Sequence, residues 1–144
     1  MDDHAEVFQG LADPTRLRLL NVLMQAGEIC VCELVQALRL PQYGVSRHLQ
    51  KLVGAGWLQA RRRGKWIYYR IPRSLKPYQR ALLRAVAQVG AERKDFGEDL
   101  ERASRRLKLR RAGVCCVGLT KAGARPTRIP KRRQPGDGDK IIEA

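Results

Sequence analysis

Between residues 31 and 71 the apolar repeat of the chain changes from helical to alternating, and few folds accept that order. Around 31 to 39, Leu34 and Leu38 stand four apart, the spacing of one helix face. Pro41 then opens a further helical segment, 41 to 54. At about 100° per residue this segment places Val45, Leu49 and Leu52 on one side and Tyr43, Arg47, Gln50 and Lys51 on the other. Directly after it, WLQARRR and KWIYYRI are two β-prone runs rich in aromatic and branched residues, joined near Arg63 and Gly64. Helix, short hinge, helix and hairpin in succession is the order of a winged helix-turn-helix. The expected fold class is therefore mainly α with a small β-hairpin.

The flanks extend this frame. Val7, Phe8, Leu11 and Ala12 sit at helical spacing in 5 to 12, and Asp13-Pro14 reads as an N-cap followed by proline in the first turn of the next helix. Leu17, Leu20 and Met24 give that helix an apolar stripe, and Gly27 is its expected terminator. Residues 74 to 90 return to a stripe of Leu75, Tyr78, Leu82, Val86 and Val89. So small a core cannot cover every apolar face, so this helix and the first are expected to pack against a second copy, giving a dimer. Phe96, Leu100, Ala103 and Leu107 indicate one more amphipathic helix. From about 112 onward Gly, Pro, Arg and Lys dominate without periodicity, and disorder is expected. The organisation reads as a DNA-binding and dimerisation domain over 1–90, an amphipathic helix within 91–111 and a basic tail over 112–144.

The formal net charge is +15, and such an excess points to an anionic polymer, nucleic acid first. Residues 1–90 carry 14 basic and 6 acidic side chains and the remainder 15 and 8, so the tail alone does not create the excess. Arg61, Arg62, Arg63 and Lys65 crowd the hairpin tip, which suits a wing lying along phosphates or probing the minor groove. No apolar run approaches the ~18 residues of a membrane span, and the acidic start MDDHAEVF is unlike a secretory signal. The expectation is a cytoplasmic protein without membrane contact.

Four cysteines fall as two close pairs, Cys30 with Cys32 and Cys115 with Cys116, and free thiols are expected in a cytosolic chain. Soft thiolates select thiophilic ions. Residues two apart on a helix point roughly 200° away from each other, so Cys30 and Cys32 would share one ion only if the first turn unwound.

LADPTRLRLL, ICVCEL, VSRHLQKLVGAGWL and RRRGKWIYYRI occur in that order, and over residues 5 to about 90 the chain resembles the ArsR (ArsR/SmtB) family of metalloregulatory repressors. The resemblance implies a dimeric winged helix on a palindromic double-stranded operator, released when an effector binds. It implies that Gln42, Tyr43, Ser46, Arg47 and His48 face bases or phosphates, with Lys51 and the wing cations on the backbone. The helical phase agrees for Tyr43, Arg47 and Lys51 and leaves Ser46 and His48 on the flanks. A CVC segment at this place resembles sensors of arsenite, antimonite, cadmium or lead. Members with a local arsenite site carry a third cysteine three residues further on, where this chain has Val35. Cys115 and Cys116, from the tail of either subunit, are candidates for the missing sulfur or for a second site of their own. The family's zinc sensors carry Asp and His on the last dimer helix, and YQRALLRAVAQVG has neither. Its cadmium and lead sensors recruit an N-terminal cysteine, and this N-terminus offers His4 and acids. As(III) or Sb(III) therefore leads as inducer, ahead of Cd(II) or Pb(II), with no organic cofactor.

Other readings remain open at this point. The cysteines could form a redox or persulfide switch on the same fold, or the chain could be an architectural DNA protein without effector. An enzyme is disfavoured, because no CxxC motif, Gly-rich phosphate loop or acid–base pair occurs.

Overall fold

A computed structural model of the chain describes residues 3–111, Cys115 and 140–142. Among them the order of elements is α1 (Asp3–Leu11), α2 (Pro14–Ala26), β1 (Ile29–Cys30), α3 (Val31–Leu38), α4 (Gln42–Gly54), β2 (Gln59–Arg63), β3 (Trp66–Arg70), α5 (Pro77–Glu92), α6 (Lys94–Leu107) and β4 (Lys140–Ile142). The boundaries follow local chemistry. Asp13 caps α2, its carboxylate accepting the Arg16 N–H at 3.0 Å, and Gly27 ends it at φ 77°, a conformation glycine takes without penalty.

Arg16 then ties two helices together. Its side chain is buried, donating through Nε to Gly10 O at 2.8 Å and through Nη2 to Gln9 O at 3.1 Å. These are carbonyls at the end of α1, which a helix leaves unsatisfied. Trp57 completes the joint. Fully buried, it donates from Nε1 to Val7 O at 2.8 Å, so it packs under α1 and precedes β2, which starts at Gln59.

The core is formed by Leu19, Leu20, Val22 and Leu23 of α2, Leu34, Ala37 and Leu38 of α3, and Val45, Leu49 and Leu52 of α4. The periodicity assigned all three α4 residues to that side. The hairpin pairs Arg63 with Trp66 across a two-residue turn in which Gly64 takes φ 58°. The sheet runs β1-β3-β2-β4, with Cys30 opposite Tyr68 and Ala60 opposite Ile142.

Three expectations change. Lys140–Ile142 forms a strand on β2 and Cys115 is buried, so these parts of the expected disordered tail are ordered; the remainder lies outside the described residues. In α5, Leu83 and Val86 enter the core while Tyr78 and Leu82 are half-buried and Val89 is exposed. Leu75 precedes the helix. In α6 the buried set is Phe96, Asp99, Ala103 and Arg106, with Leu100 and Leu107 only half-buried. The stripe is rotated toward two charged residues because those residues find buried partners.

Asp99, fully buried, accepts from Arg18 Nε and Nη2 and from Arg102 Nη2, each at 2.8 Å. The two arginines continue to the end of α3, Arg18 Nη2 reaching Leu38 O at 2.9 Å and Arg102 Nε reaching Ala37 O at 2.6 Å. Helix α6 is thereby locked to α2 and α3.

Candidate sulfur site and nucleic-acid interface

Cys30 is the residue before α3, with φ −90° and ψ 163°, and it belongs to strand β1. This corrects the expectation that the first helical turn must unwind. The helical offset applies only when both residues lie inside the helix, and here an extended Cys30 brings its sulfur 2.8 Å from Cys32 Sγ. Cys115 supplies a third sulfur from the same chain, 3.3 Å from Cys32 Sγ. The three Sγ atoms lie within 4.8 Å of one another, all on buried residues. Cys116 lies outside the described residues, and Val35 is half-buried without a ligand atom.

The surroundings hold this arrangement in place. The Cys115 N–H donates to Tyr68 Oη at 2.7 Å, and Tyr68 stands on β3 opposite Cys30. Glu33, fully buried, accepts the Cys30 N–H at 3.0 Å and is held by Arg110 through Nε at 2.8 Å and Nη2 at 2.7 Å. Arg110 Nη2 also donates to Glu28 O at 2.8 Å. Arg106, buried on α6, places Nη2 at 3.8 Å from both Cys32 Sγ and Cys115 Sγ.

Hydrogen bonding to Cys115 together with burial pushes the Cys32 thiol up to about 12, with the Arg106 guanidinium pulling the other way. Cys30 is also driven upward, chiefly by hydrogen bonds to Cys115 and Cys32 and then by burial. Burial raises Tyr68 to about 12. At neutral pH Cys30 and Cys32 are therefore protonated and Tyr68 is a neutral phenol, beside the Arg106 guanidinium.

The sequence names Cys30, Cys32, Cys115 and Cys116, the last outside the described residues, but not Tyr68, Glu33, Arg106 or Arg110. Arg106 did leave a signal. It follows Phe96 and Ala103 on one helical face, and a charge in the phase of an apolar stripe calls for a buried partner.

On α4, Gln42, Tyr43, Arg47 and Lys51 are exposed and Ser46 is half-buried. The Arg47 guanidinium stacks 5.5 Å from the Tyr43 ring centroid. His48 is turned inward, its Nδ1 accepting from Arg16 Nη1 at 3.1 Å and lying 3.8 Å from Asp13 Oδ2. In the hairpin, Arg62 and Lys65 are exposed and Arg63 is half-buried, while Arg61 is ion-paired with Glu28. No helix among the described residues is long and apolar enough to cross a membrane.

The sequence profile of the bacterial regulatory proteins of the arsR family matches residues 13–59. The arsenic resistance transcriptional regulator ArsR1 of Pseudomonas putida is 44% identical over 86 residues, 60% of this chain and 67% of that protein. The chain belongs to the ArsR family. ArsR2 of the same organism is 39% identical over 87 residues, 60% of this chain and 76% of that protein. Among solved structures, the AntR antimony-specific transcriptional repressor superposes with a TM-score of 0.51 at 36% identity, covering 60% of this chain and 75% of its own. The winged helix-turn-helix expected from the order of repeats is the fold of this family member.

Proposed function

We propose that the chain is a homodimeric transcriptional repressor that leaves its operator when As(III) or Sb(III) bridges Cys30, Cys32 and Cys115. The observation that carries this reading is the meeting of three buried cysteine sulfurs at the base of the helix-turn-helix. The names of the arsenic and antimony regulators among its relatives support the same class of inducer.

The protonation state favours a metalloid. A trihydroxide E(OH)3 exchanges with three thiols to give E(SR)3 and three waters, so protonated sulfurs are the required reactant and no charge is left behind. A peroxide switch would need a thiolate, which burial and mutual hydrogen bonding disfavour at Cys30 and Cys32. The redox reading is accordingly the weaker one.

The coupling runs through the elements that carry the sulfurs. Cys30 lies on β1, paired with wing strand β3, Cys32 lies on α3, which braces α4, and Cys115 follows α6. One ion bonded to all three sets the wing base, the first helix of the motif and α6 at fixed distances from each other. The free energy of that constraint is what disfavours the DNA-engaged arrangement. On the DNA side, Gln42, Tyr43, Ser46, Arg47 and Lys51 meet bases and phosphates. Arg62, Arg63 and Lys65 lie along the backbone. Arg61 and His48 act through their contacts inside the protein. Phe8 on α1 and Val89 on α5, both large apolar side chains left exposed, belong to the surface covered by the second copy, whose two-fold axis calls for a palindromic operator.

The test is a mobility shift on the DNA upstream of the chain's own gene, titrated with arsenite, antimonite, cadmium, zinc and peroxide. Cys32→Ser and Cys115→Ser are expected to bind DNA like the wild type and to ignore antimonite. Release of either variant at wild-type concentrations of metalloid removes the three-sulfur site from the mechanism.

A further inference from the structure

A buried arginine at the meeting point of three sulfurs is not required for taking up a neutral metalloid. Arg106 projects from the end of α6 with one nitrogen, Nη2, equidistant from Cys32 Sγ and Cys115 Sγ at 3.8 Å, and it is 5% exposed.

We infer that Arg106 is the residue that opens this sulfur site to soft divalent cations such as Cd(II) and Pb(II), by neutralising the negative complex they form, while leaving trivalent metalloids unaffected. The inference rests on the reading of Cys30, Cys32 and Cys115 as the ligand set.

The argument is a charge count. For a trivalent metalloid, E(OH)3 and three thiols yield E(SR)3 and three waters, and the product is neutral. For a divalent ion, M(II) and three thiols yield M(SR)3 with one negative charge and three released protons. Burying that charge without a counter-ion is strongly unfavourable. The other charged groups described at the sulfurs, Glu33 and Arg110, already offset one another through two hydrogen bonds. Among the described residues, Arg106 is the cation lying on the sulfurs themselves. A unit charge about 4 Å from another is worth more than a factor of ten even at the effective dielectric of a partly solvated site. Toward neutral E(SR)3 the same guanidinium offers only a weak charge–dipole contact.

The experiment is direct titration of the full-length protein with Cd(II) and with Sb(III), read by sulfur-to-metal charge-transfer absorbance and by chelator competition. Wild type is compared with Arg106→Gln and Arg106→Lys. Arg106→Gln is expected to weaken Cd(II) about ten-fold or more and to leave Sb(III) within about three-fold, whereas Arg106→Lys, which keeps the charge, retains most of the Cd(II) affinity. Equal losses for both ions would make Arg106 a packing residue and overturn the inference, as would no loss for either. The number of thiols each ion takes up in the wild type, counted by protection from alkylation, supplies a check that needs no variant to fold. Three thiols protected per ion for both Cd(II) and Sb(III) support the charge count, and two per Cd(II) overturns it, since the complex would then be neutral. A wild type that binds neither ion removes the sulfur site and this inference together; one that binds both, with selectivity unchanged in Arg106→Gln, removes only the inference.

Discussion

Replacing Asp99 by alanine tests whether α6 is an integral part of the domain or an appendage on it. The carboxylate is fully buried and receives three charge-assisted hydrogen bonds at 2.8 Å, two from Arg18 and one from Arg102. Removing one partner of a buried pair typically costs about 3–5 kcal/mol, because the remaining charge is left uncompensated. Here the arginine side chains are 18% and 16% exposed and keep their bonds to Leu38 O and Ala37 O, so partial rehydration sets the expectation at the lower end, about 3 kcal/mol. For a domain near 100 residues each kcal/mol moves the midpoint by about 4–8 °C, so Asp99→Ala should melt roughly 12–24 °C below the wild type. Thermal and urea unfolding at neutral pH, followed by far-UV circular dichroism, measure both numbers. Asp95→Ala is the control: its carboxylate pairs with Arg93 at the surface, and the melting curve should stay in place. A loss at Asp99 below ~1 kcal/mol, the size of a surface pair, would refute the claim that this charge cluster anchors α6.

Gly10→Ala should lower stability by about 1–3 kcal/mol, because a Cβ there stands 2.9 Å from Trp57 Cδ1 and the indole is held by Val7 O. A shift in tryptophan emission together with a lower urea midpoint is the readout. The folded state holds the Cys32 proton to about 12, against ~8.5 for a free thiol, so it binds that proton more tightly than the unfolded chain does. Stability from this group is complete below pH ~8 and falls as pH rises from about 8.5 toward 12; melting temperatures over that range should fall more steeply for wild type than for Cys32→Ser. Operator affinity should decline linearly in log–log plots against salt, with a slope near −0.9 per phosphate neutralised. Lys65→Ala, removing one exposed cation per protomer, should flatten the slope by about two units per dimer, and Arg61→Ala, whose guanidinium is already engaged by Glu28, should change it less.

The reading frame of the fold was visible because its signals are local. Asp13, Gly27 and Gly64 each specify a cap or a turn through their own backbone preferences, and Val45, Leu49 and Leu52 declare the buried side of α4 through their spacing alone. Contacts distant in sequence were hidden. Arg18 reaches Asp99 and Arg110 reaches Glu33 across long stretches of chain, and each looks like an ordinary surface charge until its partner is placed. The geometry of Cys30 failed for a different reason. A shift of one residue in the start of α3 exchanges a helical direction for an extended one, and helix boundaries are the least determined feature of a periodicity. His48 shows a third limit, since its flank position on α4 fits either direction and only Arg16 on α2 and the N-cap Asp13 decide it.

On the proposed reading, the origin of the third sulfur determines how the sensor acts. A ligand set confined to α3 reports only on that helix, and the only response available to it is a change in the helix. With Cys115 as a ligand, the ion joins α3 to the far end of α6, a helix already fastened to α2 and to the carbonyls closing α3 through Asp99, Arg18 and Arg102. Effector binding then acts on a closed loop of contacts that includes both ends of α3. Loosening the Asp99 cluster should weaken metalloid binding as well as stability, because Cys115 loses the scaffold that presents it. Asp99→Asn, titrated with Sb(III) at a temperature where it remains folded, should therefore bind more weakly than wild type with its three thiols intact. Unchanged Sb(III) affinity in that variant would mean that Tyr68 and the wing hold Cys115 in place without help from α6.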